Sequence, residues 1–190
     1  LTLNTKGGVV TKAVIKNFED RNDNKDVTLF DGKTQSLNFA LAAKSVNINT
    51  ADLYFTPSER TDSTVTMTAE AGKGKALIIR YRLGSDYMLH TQLQAVGLGG
   101  DFAPATQMDV QWKDLIRQQE RGFTFENRYS SLTYHKADGG TDYLSEAKEV
   151  KDETIEKKID WVAFKNQFFS AIMIAKNDFA ENAVMTSIPQ

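Results

Sequence analysis

The chain's 190 residues are 41% apolar and 25% charged, with a net charge of -2, a globular balance with no global field to draw in nucleic acid or an anionic membrane. The absence of cysteine excludes a disulfide framework, a thiolate metal site and a cysteine nucleophile. No run approaches the ~18 to 20 apolar residues of a spanning helix, no signal peptide opens the chain, and the length fits one domain, 1–190, with Leu1 in place of Met marking a processed or excised piece.

From the start, Leu1-Thr2-Leu3 leads into Lys6-Gly7-Gly8, and Val9 to Phe18 follows. Gly-Gly between two β-prone runs predicts a hairpin. Arg21 to Asn24 reads as a polar loop. Val27 to Phe30 is a strand stopped by Asp31-Gly32, Leu37 to Leu41 is another, and Leu53-Tyr54-Phe55 is a third that ends at Pro57. Thr64 to Thr68 alternates polar and apolar. Lys75 to Leu83 places Leu77, Ile79, Tyr81 and Leu83 on one face, and Tyr87 to Val96 alternates again. With glycine turns between them, these three segments predict an antiparallel meander. Gly97 to Gly100 and Pro104 form a loop, and Met108, Val110 and Trp112 share one face of a further strand. Asp114 to Arg121 is the best helix candidate, one or two turns that need tertiary packing to persist. Tyr129 to His135 is strand, Ala137 to Gly140 a turn, and Tyr143-Leu144 opens a weak strand. Lys148 to Lys158 is a charged loop and then an edge strand entering Trp161.

Ile159 to Ala175 holds one of the two tryptophans and the longest apolar run. From Phe168 onward both alternating sets are apolar. That pattern predicts a strand covered on both faces, with Phe168 and Phe169 buried on opposite sides. The whole reads as an all-β, antiparallel β-sandwich with one or two short helices.

Residue chemistry alone yields no catalytic, cofactor or metal site. His90 and His135 lie on separate strands, and neither has a neighbour at zinc-ligand spacing; His90 reads as a rim residue of the meander. Gly72-Lys73-Gly74 lacks the ending of a phosphate-binding loop, and Gly97-Leu98-Gly99-Gly100 leads to Pro104 instead of a helix. The carboxylates of Glu146 to Asp160 would need partial burial for acid-base work, and the stretch reads as solvated. Arg117, Arg121 and Arg128 alternate with Phe123, Phe125 and Tyr129, but Asp114, Glu120 and Glu126 neutralise them, which disfavours nucleic acid.

Three blocks carry a resemblance: Trp112 to Arg121 (WKDLIRQQER), Phe125 to Leu132 (FENRYSSL) and Trp161 to Phe169 (WVAFKNQFF), with Asn4-Thr5-Lys6-Gly7-Gly8-Val9-Val10 and Val27 to Asp31 before them. In this order they resemble the large periplasmic domain of the YidC insertases, the bacterial branch of the Oxa1 and Alb3 family. The resemblance implies a β-supersandwich similar to galactose mutarotases, placed in the periplasm between a first transmembrane helix and the insertase core. It implies continuation beyond Gln190 into a helical segment. Its insertase groove belongs to the membrane core, so this chain would not itself insert into the membrane.

The resemblance thus implies an interaction and scaffold domain without enzymatic activity, assisting insertion and folding as a chaperone. Its partners would be Sec translocon accessory subunits of the SecDF type and client membrane proteins. A sugar-binding or aldose-epimerase-like module is the alternative on the same fold. Epimerase chemistry needs a general base and acid, usually Glu and His, beside the ring oxygen. Asn166-Gln167-Phe168-Phe169 loosely resembles the mutarotase stretch around its histidine, yet has no His. A polysaccharide-binding domain would need converging exposed aromatics, for which Tyr54, Phe55, Tyr87 and Phe102 are candidates.

Overall fold

Alternation and glycine turns dominate this sequence, and strands dominate the fold. A computed structural model describes residues 1–44, 47–102, 107–145 and 149–189. The strands run β1 Thr2–Leu3, β2 Val10–Glu19, β3 Asp26–Phe30, β4 Gln35–Ala42, β5 Asn47–Asn49, β6 Thr56–Ser58, β7 Thr64–Glu70 and β8 Ala76–Leu83. They continue as β9 Leu89–Val96, β10 Met108–Asp114, β11 Ser131–Lys136, β12 Thr141–Ser145, β13 Lys151–Ile155, β14 Ile159–Lys165, β15 Ser170–Phe179 and β16 Ala183–Ser187. One helix, α1 Phe123–Asn127, and a 3-10 turn, Thr50–Asp52, are the helical elements among the described residues. The fold is all-β and antiparallel.

The chain forms two compact units, Leu1–Lys12 with Gln35–Lys113, and Ala13–Thr34 with Asp114–Gln190. In the first, β6-β7-β8-β9 make the predicted meander as a four-stranded sheet, and β10-β4-β5 make another. Leu77, Ile79 and Tyr81 are buried as their shared face requires, while Leu83 is 38% exposed at the strand end. The Gly7-Gly8 turn joins β1 to β2 with both glycines at positive φ. An added Cβ on Gly8 would stand 2.8 Å from the Phe55 ring, and the Tyr81 hydroxyl donates to the Gly8 carbonyl at 2.9 Å.

The second unit contains β12-β11-β14-β15 and the two-stranded β13-β16. Leu132 and Tyr134 of β11, Leu144 of β12 and Ile159 of β14 pack with Ile155 of β13 and Met185 of β16. The two sheets therefore meet in sandwich fashion within this unit. Truncating a fully buried member such as Ile159 would cost about 2 to 5 kcal/mol.

Several expectations are corrected. Leu53 to Phe55 is not a strand: Tyr54 makes one isolated bridge to Lys6, and Pro57 lies inside β6. That strand ends its sheet, where a proline costs no ladder hydrogen bond. Tyr87 and Tyr129 fall in turns, Tyr87 at φ 63°. β5, β16 and the 3-10 turn were not foreseen. Glu146, Lys148 and Pro104 lie outside the described residues.

Asp114 to Arg121 is not helical. Asp114 ends β10 and the rest has no regular secondary structure, because its backbone donors and acceptors are taken by distant partners. The buried Glu126 carboxylate accepts the Gln119 N–H at 2.9 Å and the Glu120 N–H at 3.0 Å. The Leu115 N–H bonds the Thr34 carbonyl, and the Arg117 carbonyl accepts from Asn166 Nδ2 at 3.2 Å. A one-turn helix offers too few bonds to compete.

The central-strand reading of Phe168 to Ala175 fails as well. The stretch from Ile159 forms two strands, β14 and β15, joined by a turn at Asn166 to Phe169, so Phe168 and Phe169 lie in the turn and β15 ends its sheet. Phe168 is 62% exposed, and Ile172 and Ile174 are more than half exposed. Only the other alternating set, Ala171, Met173 and Ala175, is partly covered.

Candidate functional site

The exposed face of the four-stranded sheet in the second unit follows from its register. Tyr134 pairs with Val162 and Val162 with Met173, so these share the face turned to the core. The alternate rows share the opposite face. One is Tyr143, Thr133, Ala163 and Ile172, and the other is Thr141, His135, Trp161 and Ile174. Tyr143, Ile172 and Ile174 are each more than half exposed. Large apolar side chains thus stand in neighbouring rows on one open face, which marks interaction surfaces more often than chance exposure does.

A bulge organises the middle of this face. His135 pairs with Trp161, but the next partner of β11 is Ile159, so Asp160 is the extra residue. Bulges re-aim side chains, and here the bulge puts Asp160 Oδ1 at 2.9 Å from His135 Nδ1. The imidazole lies flat against Trp161, with centroids 5.8 Å apart and planes 9° from parallel. Sequence reasoning saw no such pair, because its members stand 25 residues apart and only the bulge joins them. An imidazole held by a carboxylate can pass a proton. This pair sits on an open sheet face, and neither the groove on β7 to β9 nor the small cavity beside Asp114 includes it.

The turn before β15 is fixed by Asn166, which is buried. Its Oδ1 accepts the Phe168 and Phe169 N–H groups at 3.1 and 3.0 Å, and its Nδ2 donates to Glu126 Oε1 at 3.1 Å. Glu126 and Asn166 together tie the 115–121 segment to the start of β15. The stretch that loosely resembled a mutarotase active site is a structural clamp. Among the described residues Glu126 makes no direct ion pair with the nearby arginines, its carboxylate being taken by amide donors. Asp31 pairs with Arg117 at 2.9 Å, and Arg121 Nε donates to the Arg21 carbonyl.

The remaining sequence candidates scatter. His90 is exposed on β9 in the first unit. Tyr54 and Tyr87 are exposed, but Phe55 is buried against Gly8, which removes it from any aromatic patch. Among the described residues no group of three or more His, Asp or Glu could hold a metal ion, and no helix is long and apolar enough to cross a membrane.

Comparison with known proteins gives one consistent result. A family model for the YidC periplasmic domain matches residues 1–189. A membrane protein insertase YidC of Phocaeicola vulgatus is 44% identical, with all of this chain and 30% of the relative covered. A YidC of Bacteroides fragilis is 37% identical over 99% of the chain and 30% of its own length. One of Porphyromonas gingivalis is 32% identical over 96% of the chain and 29% of its own. The chain therefore spans about 30% of the length of these relatives. No solved structure matches.

Proposed function

The chain belongs to the family of YidC periplasmic domains, on the periplasmic side of the bacterial inner membrane, and from that premise we propose that it serves the insertase as a docking and scaffold module. The observation that carries this is β15. Its outer edge pairs with no described strand, and its first half, Ser170 to Ala175, has no charge, no proline and no positive φ. Sheet edges are ordinarily protected by such features. Protection begins only at Lys176, with Asp178 at φ 61°. An unprotected edge flanked by exposed Ile172 and Ile174 suits an extended partner segment that adds as a further strand, its side chains meeting those two isoleucines.

The partners proposed are Sec accessory subunits of the SecDF type and periplasmic segments of client membrane proteins. A photoreactive residue in place of Ser170, exposed in the same alternating set as Ile172 and Ile174, is expected to crosslink to one of these in the full-length insertase, and one in place of exposed Glu70 is not. Ile172→Lys with Ile174→Lys should abolish the adduct while thermal stability stays within a few degrees. Crosslinks that survive the double substitution would overturn the β15 reading.

The domain is proposed to lack epimerase activity. His135 and Asp160 form a pair, but among the described residues neither of the two cavities includes them. Polarimetry of freshly dissolved glucose and galactose should show only the spontaneous rate. Acceleration that disappears in His135→Ala would establish the sugar-directed alternative instead.

A further inference from the structure

The sheet β6-β7-β8-β9 carries a second, different feature on the face opposite Leu77, Ile79 and Tyr81. Register places Thr64, Arg82 and His90 in one cross-strand row and Thr66, Arg80 and Gln92 in the next. These rows line a groove of about 390 Å³, within the ~300 to 1,000 Å³ typical of small-molecule sites.

Charge in the groove is unbalanced. Arg82 and His90 stand directly opposite one another, and Arg80 lies two residues along on the same face. Among the described residues, the Arg82 and His90 side chains make no hydrogen bond or ion pair. Arg80 gives one donor, Nη1, to Gln94 Oε1 at 2.6 Å and keeps the rest of its five. Among the described residues, the only carboxylate lining the groove is Glu59. Its Oε2 already accepts the Thr66 hydroxyl at 2.7 Å, and its backbone is held at φ 49°. Neither guanidinium faces a carboxylate across the ladder, since Arg82 stands opposite Thr64 and His90, and Arg80 opposite Thr66 and Gln92. Two guanidinium groups beside one engaged carboxylate point to a counter-charge brought by a ligand. Guanidinium groups fit the paired oxygens of phosphate and carboxylate.

Size limits the occupant. Two residues along a strand span about 7 Å and three strands about 10 Å. That footprint holds one acidic group and a small body, and is too short for an extended acidic peptide. Thr64, Thr66 and Gln92 supply hydrogen-bond partners for hydroxyls. We propose that this groove binds a small hydroxylated organic anion bearing one phosphate or carboxylate, with Arg82, Arg80 and His90 holding the acidic group. The anion has two possible sources, a free solute and the headgroup of an anionic phospholipid.

The test uses the 190-residue chain with sn-glycerol 3-phosphate, followed by amide NMR at constant ionic strength set with chloride. Saturable shifts are expected at Thr64, Arg82 and His90, and not with added chloride. Arg82→Gln should weaken binding at least tenfold, and Lys73→Gln, which removes a cation in the β7 to β8 turn, should leave it unchanged. Co-sedimentation with phosphatidylglycerol vesicles, against phosphatidylcholine, separates the sources. Arg82-dependent sedimentation assigns the headgroup, and binding of the soluble probe alone assigns a free anion; either supports the site. The proposal is overturned if neither probe binds in an Arg82-dependent way, or if Lys73→Gln weakens binding as much as Arg82→Gln.

Discussion

Asp114 ends β10 with its Oδ1 buried and accepting no hydrogen bond among the described residues. Burial pushes its pKa up to about 7, against opposing pulls from the Leu115 amide and Arg117 and a further push from Asp31. In the unfolded chain the same carboxyl ionises near 3.8. Between these two pH values the folded state keeps a proton that the unfolded state has released. This group's contribution is therefore most favourable below about pH 4, declines as pH rises to about 7, and is flat above. Asp114→Asn removes the decline. Because the carboxyl is only partly buried, solvent screening reduces the effect, and the variant should exceed the parent by about 1 to 2 kcal/mol at pH 8. Urea midpoints at pH 4, 6 and 8 measure this, and equal midpoints at pH 8 would contradict it. Gly8 makes a second residue-scale case. It combines φ 65° with a Cβ position 2.8 Å from a Phe55 ring that is 2% exposed and has nowhere to move. Gly8→Ala should cost about 2 to 4 kcal/mol, from backbone strain plus overpacking. Gly7→Ala, at φ 84° but with ordinary contacts, should cost about 1 to 2 kcal/mol. Thermal denaturation of the two variants compares them directly. The Gly-Gly turn was legible in the sequence because its cause is local; the collision with Phe55 was not, because it comes from 47 residues away.

At the scale of elements, Phe168 and Phe169 now separate. Phe168 is largely exposed, whereas Phe169 is partly buried and meets Phe18 edge-on with centroids 5.8 Å apart. Phe168→Ala should leave the urea midpoint nearly unchanged, and Phe169→Ala should cost about 1 to 3 kcal/mol, from lost burial and the lost ring contact. A large loss in Phe168→Ala would restore the central-strand reading. That reading failed for a physical reason. Alternation shows which residues share a face, but a strand apolar on both faces looks the same whether it lies mid-sheet or at an unguarded end. The meander of β7 to β9 was legible because its three strands pair with sequence neighbours through glycine turns. The irregular 115–121 segment was not, because Glu126, Asn166 and Thr34 satisfy its backbone from afar. The His135, Asp160 and Trp161 group was hidden for the same reason, since a one-residue bulge decides it.

At the scale of the whole molecule, the chain crosses between its two units at 12/13, 34/35 and 113/114, so neither unit is one continuous stretch. Two of the crossings fall inside strands, and the third lies at the start of β4. Lys12 pairs with Thr2 in the first unit and Ala13, the next residue of β2, pairs with Phe30 in the second. β10 likewise crosses between Lys113 and Asp114. Unfolding either unit would fray strands that the other uses, a coupling that flexible linkers lack. Residues 1–190 are therefore expected to unfold as one cooperative domain. The two tryptophans report on the units separately, Trp112 on the first and Trp161 on the second. With Trp161→Phe and Trp112→Phe as the two single-tryptophan variants, urea unfolding followed by fluorescence and by far-ultraviolet circular dichroism should give the same midpoint by both probes in each variant. A Trp112 transition displaced from that of circular dichroism in the same variant, with the Trp161 transition displaced in the opposite sense, would mean that the units unfold independently despite the shared strands.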